Sequence, residues 1–243
     1  MVDVVNPGSA LGEAVGRLIE ENISTAIASI AHRRKFRAES AVLRNREGSR
    51  HQIDIVVFDP NGEPIVLVEP KYLRYIKHNW DKGSRLVVAH SRVRRRYSSI
   101  RKCIAILAGR WTARSKDFLT TSGIEIHEIP FTHIVSVFRK RGITFDWDEK
   151  DDITPSIAWD SFSQLSENER TKIGSELTQH IRGRVARSIE RAIIGPVSIA
   201  GEVAEVEVSL RTREGELLIK TLPTVTESIK YLLEFQIDKA IGS

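Results

Sequence analysis

Two apolar segments on either side of a short turn constrain the fold of this chain more than any other feature of its sequence. The segments His51 to Phe58 and Ile65 to Lys71 are separated by Asp59-Pro60-Asn61-Gly62-Glu63-Pro64. Asn-Gly is favoured in two-residue hairpin turns, because both central residues of such a turn adopt positive φ. The pattern therefore predicts an antiparallel hairpin of two strands.

The register of this hairpin brings charged side chains together. With Asn61-Gly62 as the loop, counting outward on both strands places Asp54 directly opposite Glu69. Opposed side chains project from the same face, with Cβ atoms roughly 4.5–5.5 Å apart, and like charges so placed repel unless a cation joins them. The pair therefore suits one hard divalent ion. Lys71 lies two residues beyond Glu69 and points to the same face.

Helices and further strands surround the hairpin. Apolar residues recur at three- and four-residue steps from Leu11 to Ile30, which predicts a helix of about 20 residues with Ser9 as its N-cap. The other expected elements are a strand over Ser40 to Leu43, a helix over Lys82 to Ser99, a strand over Cys103 to Leu107, a helix over Thr112 to Thr121 and a strand over Ile124 to Ile129.

The pattern changes after about residue 145. Ser161 to Ile194 is predicted to be mostly helical, Val203 to Ile219 to form a hairpin turning at Glu214-Gly215, and Thr224 to Ile241 to form a closing amphipathic helix. We therefore predict an α/β protein in which residues 1–145 form the core. Residues 146–243 would form a smaller α+β C-terminal subdomain for dimerisation or substrate positioning.

Basic residues are concentrated in one stretch. The sequence has a formal net charge of +5 and a pI of about 9.4. Lys71 to Lys116 contains fourteen Lys and Arg residues and one acid, Asp81. Local salt bridges cannot neutralise such a segment, so it indicates a polyanionic partner such as nucleic acid. A solvated arginine-rich helix face is the alternative interpretation.

Cysteine content and hydropathy limit the compartment. The single cysteine, Cys103, excludes an intramolecular disulfide framework and a cysteine-based zinc site, and we expect a buried thiol. No apolar run approaches the roughly 18 residues of a membrane helix, and residues 1–9 lack the features of a secretory leader. These observations favour a cytoplasmic protein.

The motif formed by Asp54, a fourteen-residue gap and Glu69-Pro70-Lys71 after the apolar run Ile65-Val66-Leu67-Val68 resembles that of the PD-(D/E)xK nuclease superfamily. This superfamily includes restriction endonucleases and archaeal junction resolvases. The likeness covers about residues 10 to 130, and Gly16-Arg17-Leu18-Ile19-Glu20 is similar to the Gly-x-x-x-Glu of the family's first helix. It implies a restriction-endonuclease-like mixed β-sheet core flanked by helices.

The resemblance implies a role for each charged residue of the motif. Asp54 and Glu69 would hold Mg²⁺, with substrate phosphate and water completing its coordination. Lys71 would orient or help deprotonate the attacking water and stabilise the developing charge. Glu20 would be a further metal or water ligand, and Glu13, two helical turns earlier on almost the same face, is the alternative.

Two positions depart from the family pattern. Ile53 stands where a proline commonly precedes the aspartate. Pro70 has no backbone N–H, so its position predicts a lost ladder bond or a bulge that would shift Lys71. The alternative to an active site is an exposed strand end, held by a salt bridge from Lys71 to Glu69 or Asp54.

Basic residues beyond the motif are predicted to contact DNA, mostly through phosphates. They are Arg74, Lys77, Arg92, Arg94, Arg95, Arg96, Arg101 and Lys102. Several histidines have no metal-ligand spacing with acids or thiols and are interpreted as structural or surface residues. These are His78, His90, His127 and His133.

Together these features predict a Mg²⁺-dependent DNA endonuclease that acts as a homodimer on double-stranded DNA. A chain without helicase motifs, Walker loops or a cysteine cluster is most similar to a type II restriction endonuclease. A junction resolvase or repair nuclease of the same superfamily is one alternative. A non-catalytic nucleic-acid-binding module with a nuclease fold is another. A helix-turn-helix factor is disfavoured, because no short helix pair with a Gly turn lies beside the basic segment.

Overall fold

The computed structural model describes residues 6–194, 203, 205–213 and 215–241. The chain divides into two compact units, Met1–Ile194 and Gly195–Ser243. In chain order, the α-helices and strands of the first unit are α1 (Pro7–Arg33), β1 (Arg37–Arg44), β2 (Arg50–Phe58), β3 (Pro64–Leu73), α2 (Asn79–Arg96), β4 (Lys102–Gly109), α3 (Ala113–Thr121), β5 (Glu125–Pro130), α4 (Phe131–Arg139), α5 (Ile153–Ser163) and α6 (Glu167–Ile194).

The strands of the first unit form one mixed sheet in the order β1-β2-β3-β4-β5. β1, β2 and β3 are antiparallel neighbours, whereas β4 is parallel to β3 and β5 is parallel to β4. Helices α2 and α3 form the crossovers that parallel strands require. The predicted mixed α/β class and the predicted order of elements through β5 are confirmed. Helix α4, which follows β5 directly, was not predicted.

Helices cover both faces of this sheet. Helices α1, α4, α5 and α6 enclose one hydrophobic core, and α2 and α3 enclose the other. Side chains of β4 alternate between them, with Ile104 and Ile106 in the first core and Ala105 and Leu107 in the second. The strand is therefore buried on both sides, as its continuous apolar sequence indicates. Cys103 is a buried free thiol, as predicted.

Helix α1 begins earlier than predicted. Asn6, and not Ser9, is its N-cap, and the Asn6 Oδ1 accepts a hydrogen bond from the N–H of Ser9 at 2.9 Å. Pro7 occupies the first helical position, where the missing N–H costs no intrahelical hydrogen bond. The helix therefore extends over the end of β3 that carries the predicted site.

The hairpin closes through a three-residue loop, so the predicted two-residue turn is wrong. The N–H of Asp59 donates to the carbonyl of Glu63 at 2.9 Å, and Gly62 has a φ of +85°. The Asp59 carboxylate accepts the N–H groups of Asn61 and Glu63 at 2.9 and 2.8 Å. This side-chain capping fixes the loop that follows Phe58, the last residue of β2.

A bulge restores the predicted register beyond the loop. Phe58 pairs with Pro64, and Val57 pairs with Val66, which leaves Ile65 as an extra residue on β3. The extra loop residue and the extra strand residue compensate for one another. The pairs from Val57 outward to the one between Ile55 and Val68 therefore have the predicted register.

Gly109 ends β4 at a close approach to β3. Its φ is +96°, and a Cβ built on it would lie 2.0 Å from the carbonyl oxygen of Leu73. Gly142 also has a positive φ, +71°, but open space surrounds it. We expect Gly109→Ala to lower the free energy of unfolding by about 3 kcal/mol or more and Gly142→Ala by about 1 kcal/mol. Chemical denaturation measures both, and equal losses would contradict the steric account.

The described residues of the second unit form a small hairpin and a helix, as predicted: β6 (Val206–Arg211), β7 (Leu217–Leu222) and α7 (Val225–Ile241). Gly215 lies in the turn with a φ of +93°, whereas Glu214 lies outside the described residues. The division between the units does not coincide with the predicted boundary after residue 145, because α5 and α6 pack against α1. None of the described helices combines the length and hydropathy needed to cross a membrane.

Candidate active site

Asp54, Glu69 and Lys71 meet at one point of the sheet, and we refer to them as the hairpin cluster. The Nζ of Lys71 lies 2.6 Å from the Oδ2 of Asp54 and 2.6 Å from the Oε2 of Glu69. Strands β2 and β3 position the carboxylates, since these are the next residues outward from the pair of Ile55 and Val68. The predicted juxtaposition of two acids and one lysine is therefore present.

The hairpin cluster is partly withdrawn from water. The side chain of Glu69 is 6% exposed, that of Asp54 20% and that of Lys71 33%. Burial, and then a hydrogen bond with Asp54, raises the pKa of Glu69 to about 8. Burial acts to lower the pKa of Lys71, but Glu69 and Asp54 outweigh it and the pKa is raised. At neutral pH Glu69 therefore holds a proton beside a charged ammonium group.

Glu20 lies near the hairpin cluster on α1. Burial, and then the charge of Asp54, raises the pKa of Glu20, while Lys71 acts to lower it. Helix α1 approaches β3 closely at Gly12, where a Cβ would lie 3.3 Å from the ring of Tyr72. Glycine on this face of α1 therefore lets the helix bring Glu20 to the carboxylates.

A groove of about 550 Å³ lies between the start of α1 and the end of β3. Lys71 and Glu13 both line it, and Glu13 is exposed. The groove gives solvent and small groups access to the lysine end of the hairpin cluster. Glu13 thus borders the approach to the site, whereas Glu20 lies close enough to Asp54 for the charge of that carboxylate to raise its pKa.

Pro70 leaves the position of Lys71 undisturbed. The pairing of β3 with β4 is uninterrupted from Val66 to Leu73, whereas the pairing of β3 with β2 ends at Val68. Pro70 therefore lies where β3 keeps only β4 as a partner, and strands tolerate proline at such positions. The predicted alternative of a bulge at Pro70 is wrong, because the pairing of β3 with β4 passes through Pro70 without a shift in register.

The donor atoms of the hairpin cluster fit Mg²⁺. Asp54 and Glu69 supply carboxylate oxygens, and Mg²⁺ sites commonly use one or two carboxylates with water and substrate phosphate. In the part of the chain that the structure describes, no group of three or more His, Cys, Asp or Glu side chains could hold a metal ion. Two carboxylates would leave such an ion several coordination positions for water and substrate.

Helix α2 adds a residue that the sequence pattern assigned to a structural role. His90 is 1% exposed, and its Nε2 lies 3.9 Å from the Oε1 of Glu69. Burial, and then the charges of Lys71 and Arg94, lowers the pKa of His90 to about 3, so the ring is neutral at physiological pH. The sequence signal for this position is that His90 falls among the regularly spaced residues that form the buried face of α2, here called its stripe. That stripe consists of Asn79, Gly83, Leu86, His90 and Val93.

Arg74 is engaged within the protein. It is buried, and its guanidinium donates hydrogen bonds to the carbonyls of Phe145 and Trp147 at 2.8 and 3.0 Å. These two hydrogen bonds hold the Arg74 guanidinium on the backbone of Phe145 and Trp147, which gives Arg74 a structural role in place of the predicted DNA contact. Lys77 is exposed and forms an ion pair with Glu149.

Two further predicted DNA contacts lie away from the hairpin cluster. Arg101 donates to the carbonyl of Ala192 at 3.0 Å, and Lys102 pairs with Glu125 at 2.8 Å. Lys102 is level with Val66 in the sheet, and Lys71 lies five residues further along β3, about 16 Å away. The structure therefore does not bring these two residues to the site.

Acids that lie outside the basic segment in the sequence neutralise much of its charge. The acids that pair with its Lys and Arg residues include Asp54, Glu69, Glu125, Glu128, Asp146 and Glu149. Exposed arginines at the end of α2 form no ion pair with an acid of the described residues. We refer to them as the α2 arginine cluster: Arg92, Arg94, Arg95 and Arg96. Arg96 also donates to the carbonyl of Asn45 at 3.1 Å.

The raised pKa of Glu69 predicts a pH-dependent stability. The folded protein keeps this proton up to about pH 8, whereas the unfolded chain releases it near pH 4.5, so stability falls as pH rises through this interval. His90 makes stability rise with pH below pH 6.5, because its pKa is lower in the folded protein than in the unfolded chain. We therefore expect the melting temperature without Mg²⁺ to fall between pH 6.5 and 8, and to fall less in Glu69→Gln. An equal fall in both proteins would contradict this assignment.

Comparisons with known proteins do not supply a function. No family model matches the sequence, and no curated protein matches it. A solved structure described as a protein of unknown function, AF1548, is similar over 74% of this chain and 100% of its own length, with 13% identity and a TM-score of 0.34.

Proposed function

We propose that this protein is a Mg²⁺-dependent DNA endonuclease of the PD-(D/E)xK type, with the hairpin cluster as its active site. The observation that carries the proposal is the meeting of two carboxylates from adjacent strands with one lysine, at 2.6 Å from each. Glu69 is buried and its pKa is raised, and strongly perturbed pKa values cluster at functional sites.

Asp54 and Glu69 would hold the ion. Bound there, Mg²⁺ would act as a Lewis acid and lower the pKa of the water that it coordinates. Glu69 would bind the ion as a carboxylate, with its proton released to solvent, and the Nζ of Lys71 would move out of the space between the two carboxylates. Lys71 would then orient the attacking water or help deprotonate it, and would neutralise phosphate charge. Glu20 would contribute a hydrogen bond to water at the same site.

The α2 arginine cluster supports a path for DNA beside the hairpin cluster. His90 faces Glu69 from the same helix. Arg92 lies two residues after His90, and Arg96 lies six residues after it, which is about 9 Å along the helix axis. Exposed arginines contribute affinity through phosphates without reading sequence. Lys77 can exchange Glu149 for a phosphate at small cost, since surface ion pairs are weak.

Among DNA endonucleases, we propose a type II restriction enzyme that acts as a cytoplasmic homodimer on double-stranded DNA. The second unit, Gly195–Ser243, would supply dimer contacts or specificity. A junction resolvase or repair nuclease would share the active site but select a different DNA structure. In a non-catalytic DNA-binding module, Lys71 would stay between the carboxylates permanently.

A panel of DNA substrates tests the proposed function. Purified protein is incubated with supercoiled, linear and four-way branched DNA, with Mg²⁺ or with EDTA. We expect discrete fragments from linear DNA that appear with Mg²⁺ only. Cutting confined to the branched DNA would indicate a junction resolvase and would contradict the proposed restriction enzyme. Tight binding without cutting of any substrate would contradict the endonuclease proposal.

A further inference from the structure

His90 is a buried polar side chain that the proposed mechanism leaves unused. It is 1% exposed, and neither of its ring nitrogens has a hydrogen-bond partner in the described part of the chain. Buried polar groups in folded proteins nearly always have a partner, and an unsatisfied one calls for an explanation. Leucine at this position of the α2 stripe would satisfy the core without that cost.

The surroundings of His90 indicate what its partner would be. Lys71 contacts the Oε2 of Glu69 at 2.6 Å, while the other oxygen, Oε1, lies 3.9 Å from the Nε2 of His90. This separation is about 1 Å longer than a hydrogen bond. Small movements of the Glu69 side chain, of the kind needed when Lys71 leaves it, would close the gap.

We propose that His90 is a positioning residue for Glu69, whose Oε1 accepts a hydrogen bond from the Nε2–H of His90 when Glu69 binds the metal ion. This inference rests on the proposed function. Carboxylates that bind metal ions are commonly held by such outer hydrogen bonds, which fix their orientation. A neutral imidazole supplies the donor without adding a positive charge that would repel the cation.

Loss of the His90 N–H donor should weaken the binding of a divalent ion without lowering the stability of the metal-free protein. His90→Leu removes the unsatisfied polar group, so the metal-free protein should be as stable as the wild type or more stable. The same variant should bind a divalent ion about tenfold more weakly, which is the lower end of the effect of losing an outer-shell partner. His90→Gln keeps an N–H donor and should bind within about threefold of the wild type. A residue with a packing role alone would give neither the weaker binding nor the rescue.

The test measures binding of Mn²⁺ alone, in the absence of DNA, by the electron paramagnetic resonance of the free ion. Mn²⁺ shares the preference of Mg²⁺ for oxygen ligands and is detected directly. The proteins are the wild type, His90→Leu, His90→Gln and Asp54→Asn, with melting temperatures taken alongside. His90→Met replaces the leucine variant if that does not fold, since its unbranched side chain fits irregular spaces.

The outcomes separate this inference from the proposed function. Weaker binding by His90→Leu, with near wild-type binding by His90→Gln and no loss of stability, supports the positioning role. Equal binding by the wild type and His90→Leu, with weak binding by Asp54→Asn, overturns the role of His90 and leaves the metal site in place. Binding by the wild type that is no tighter than by Asp54→Asn overturns the proposed site and the inference with it.

Discussion

Asp54→Asn is expected to lower the rate of Mg²⁺-dependent DNA cleavage about a thousandfold. The substitution keeps the shape of the side chain and removes one of two carboxylates that would hold the ion. The fold should persist, because Asp54 lies beyond the last paired residues of β2 and β3 and is partly exposed. Glu69→Gln and Lys71→Met should have losses of similar size, since each removes another member of the hairpin cluster.

Matched controls make this prediction specific. Asp117→Asn makes the same chemical change at an exposed position of α3 and should cut DNA at the wild-type rate. Glu20→Gln should slow cleavage about tenfold through its water-mediated role, whereas Glu13→Gln should have little effect. DNA binding in EDTA should be unchanged in every variant. Cleavage by Asp54→Asn at close to the wild-type rate would place the active site elsewhere.

Replacing Arg92, Arg94 and Arg95 together by alanine is expected to weaken DNA binding and to reduce its dependence on salt. Each lost phosphate contact lowers the slope of log K against log salt by about 0.9, so three contacts lower it by about 2.7. Arg96 is left intact because it donates to the carbonyl of Asn45 and its loss would disturb packing. Titrations at several salt concentrations, on DNA of unrelated sequences, measure the slope.

A second triple variant controls for the change in net charge. Arg182, Arg187 and Arg191 are exposed on α6, which packs against the opposite face of the sheet from α2. Their replacement by alanine removes the same charge and should leave the slope close to that of the wild type. An unaltered slope in the α2 variant would instead direct attention to Arg33, Arg34, Lys35 and Arg37 at the end of α1.

Local patterns predicted most of the fold, because period and turn chemistry act over a few residues. The continuous apolar run of β4 indicates burial on both faces, which is what its alternation between two cores provides. The turn was mispredicted because Asn61-Gly62 is typical of a two-residue loop. The Asp59 carboxylate instead accepts hydrogen bonds from two backbone N–H groups and stabilises a loop of three residues. The predicted register is nevertheless present beyond the loop, because the bulge at Ile65 compensates for the extra loop residue. Nothing in the local sequence specifies this bulge.

The predicted positions of Asp54, Glu69 and Lys71 depend on the pairing of two adjacent strands, which sequence can specify. The roles of the basic residues depend on contacts between elements far apart in sequence, which it cannot. Arg74 illustrates this difference, since its donors are directed to carbonyls about seventy residues away. His90 was missed for the same reason, because only the packing of α2 on the sheet places it beside Glu69.

Anomalous X-ray diffraction from crystals grown with Mn²⁺ tests the central claim most directly, because it locates the ion without relying on activity. The account predicts one Mn²⁺ peak bound by carboxylate oxygens of Asp54 and Glu69, with the Nζ of Lys71 withdrawn from the space between them. Saturating Mn²⁺ with no peak at this pair, and Lys71 still bound to both carboxylates, would contradict the account.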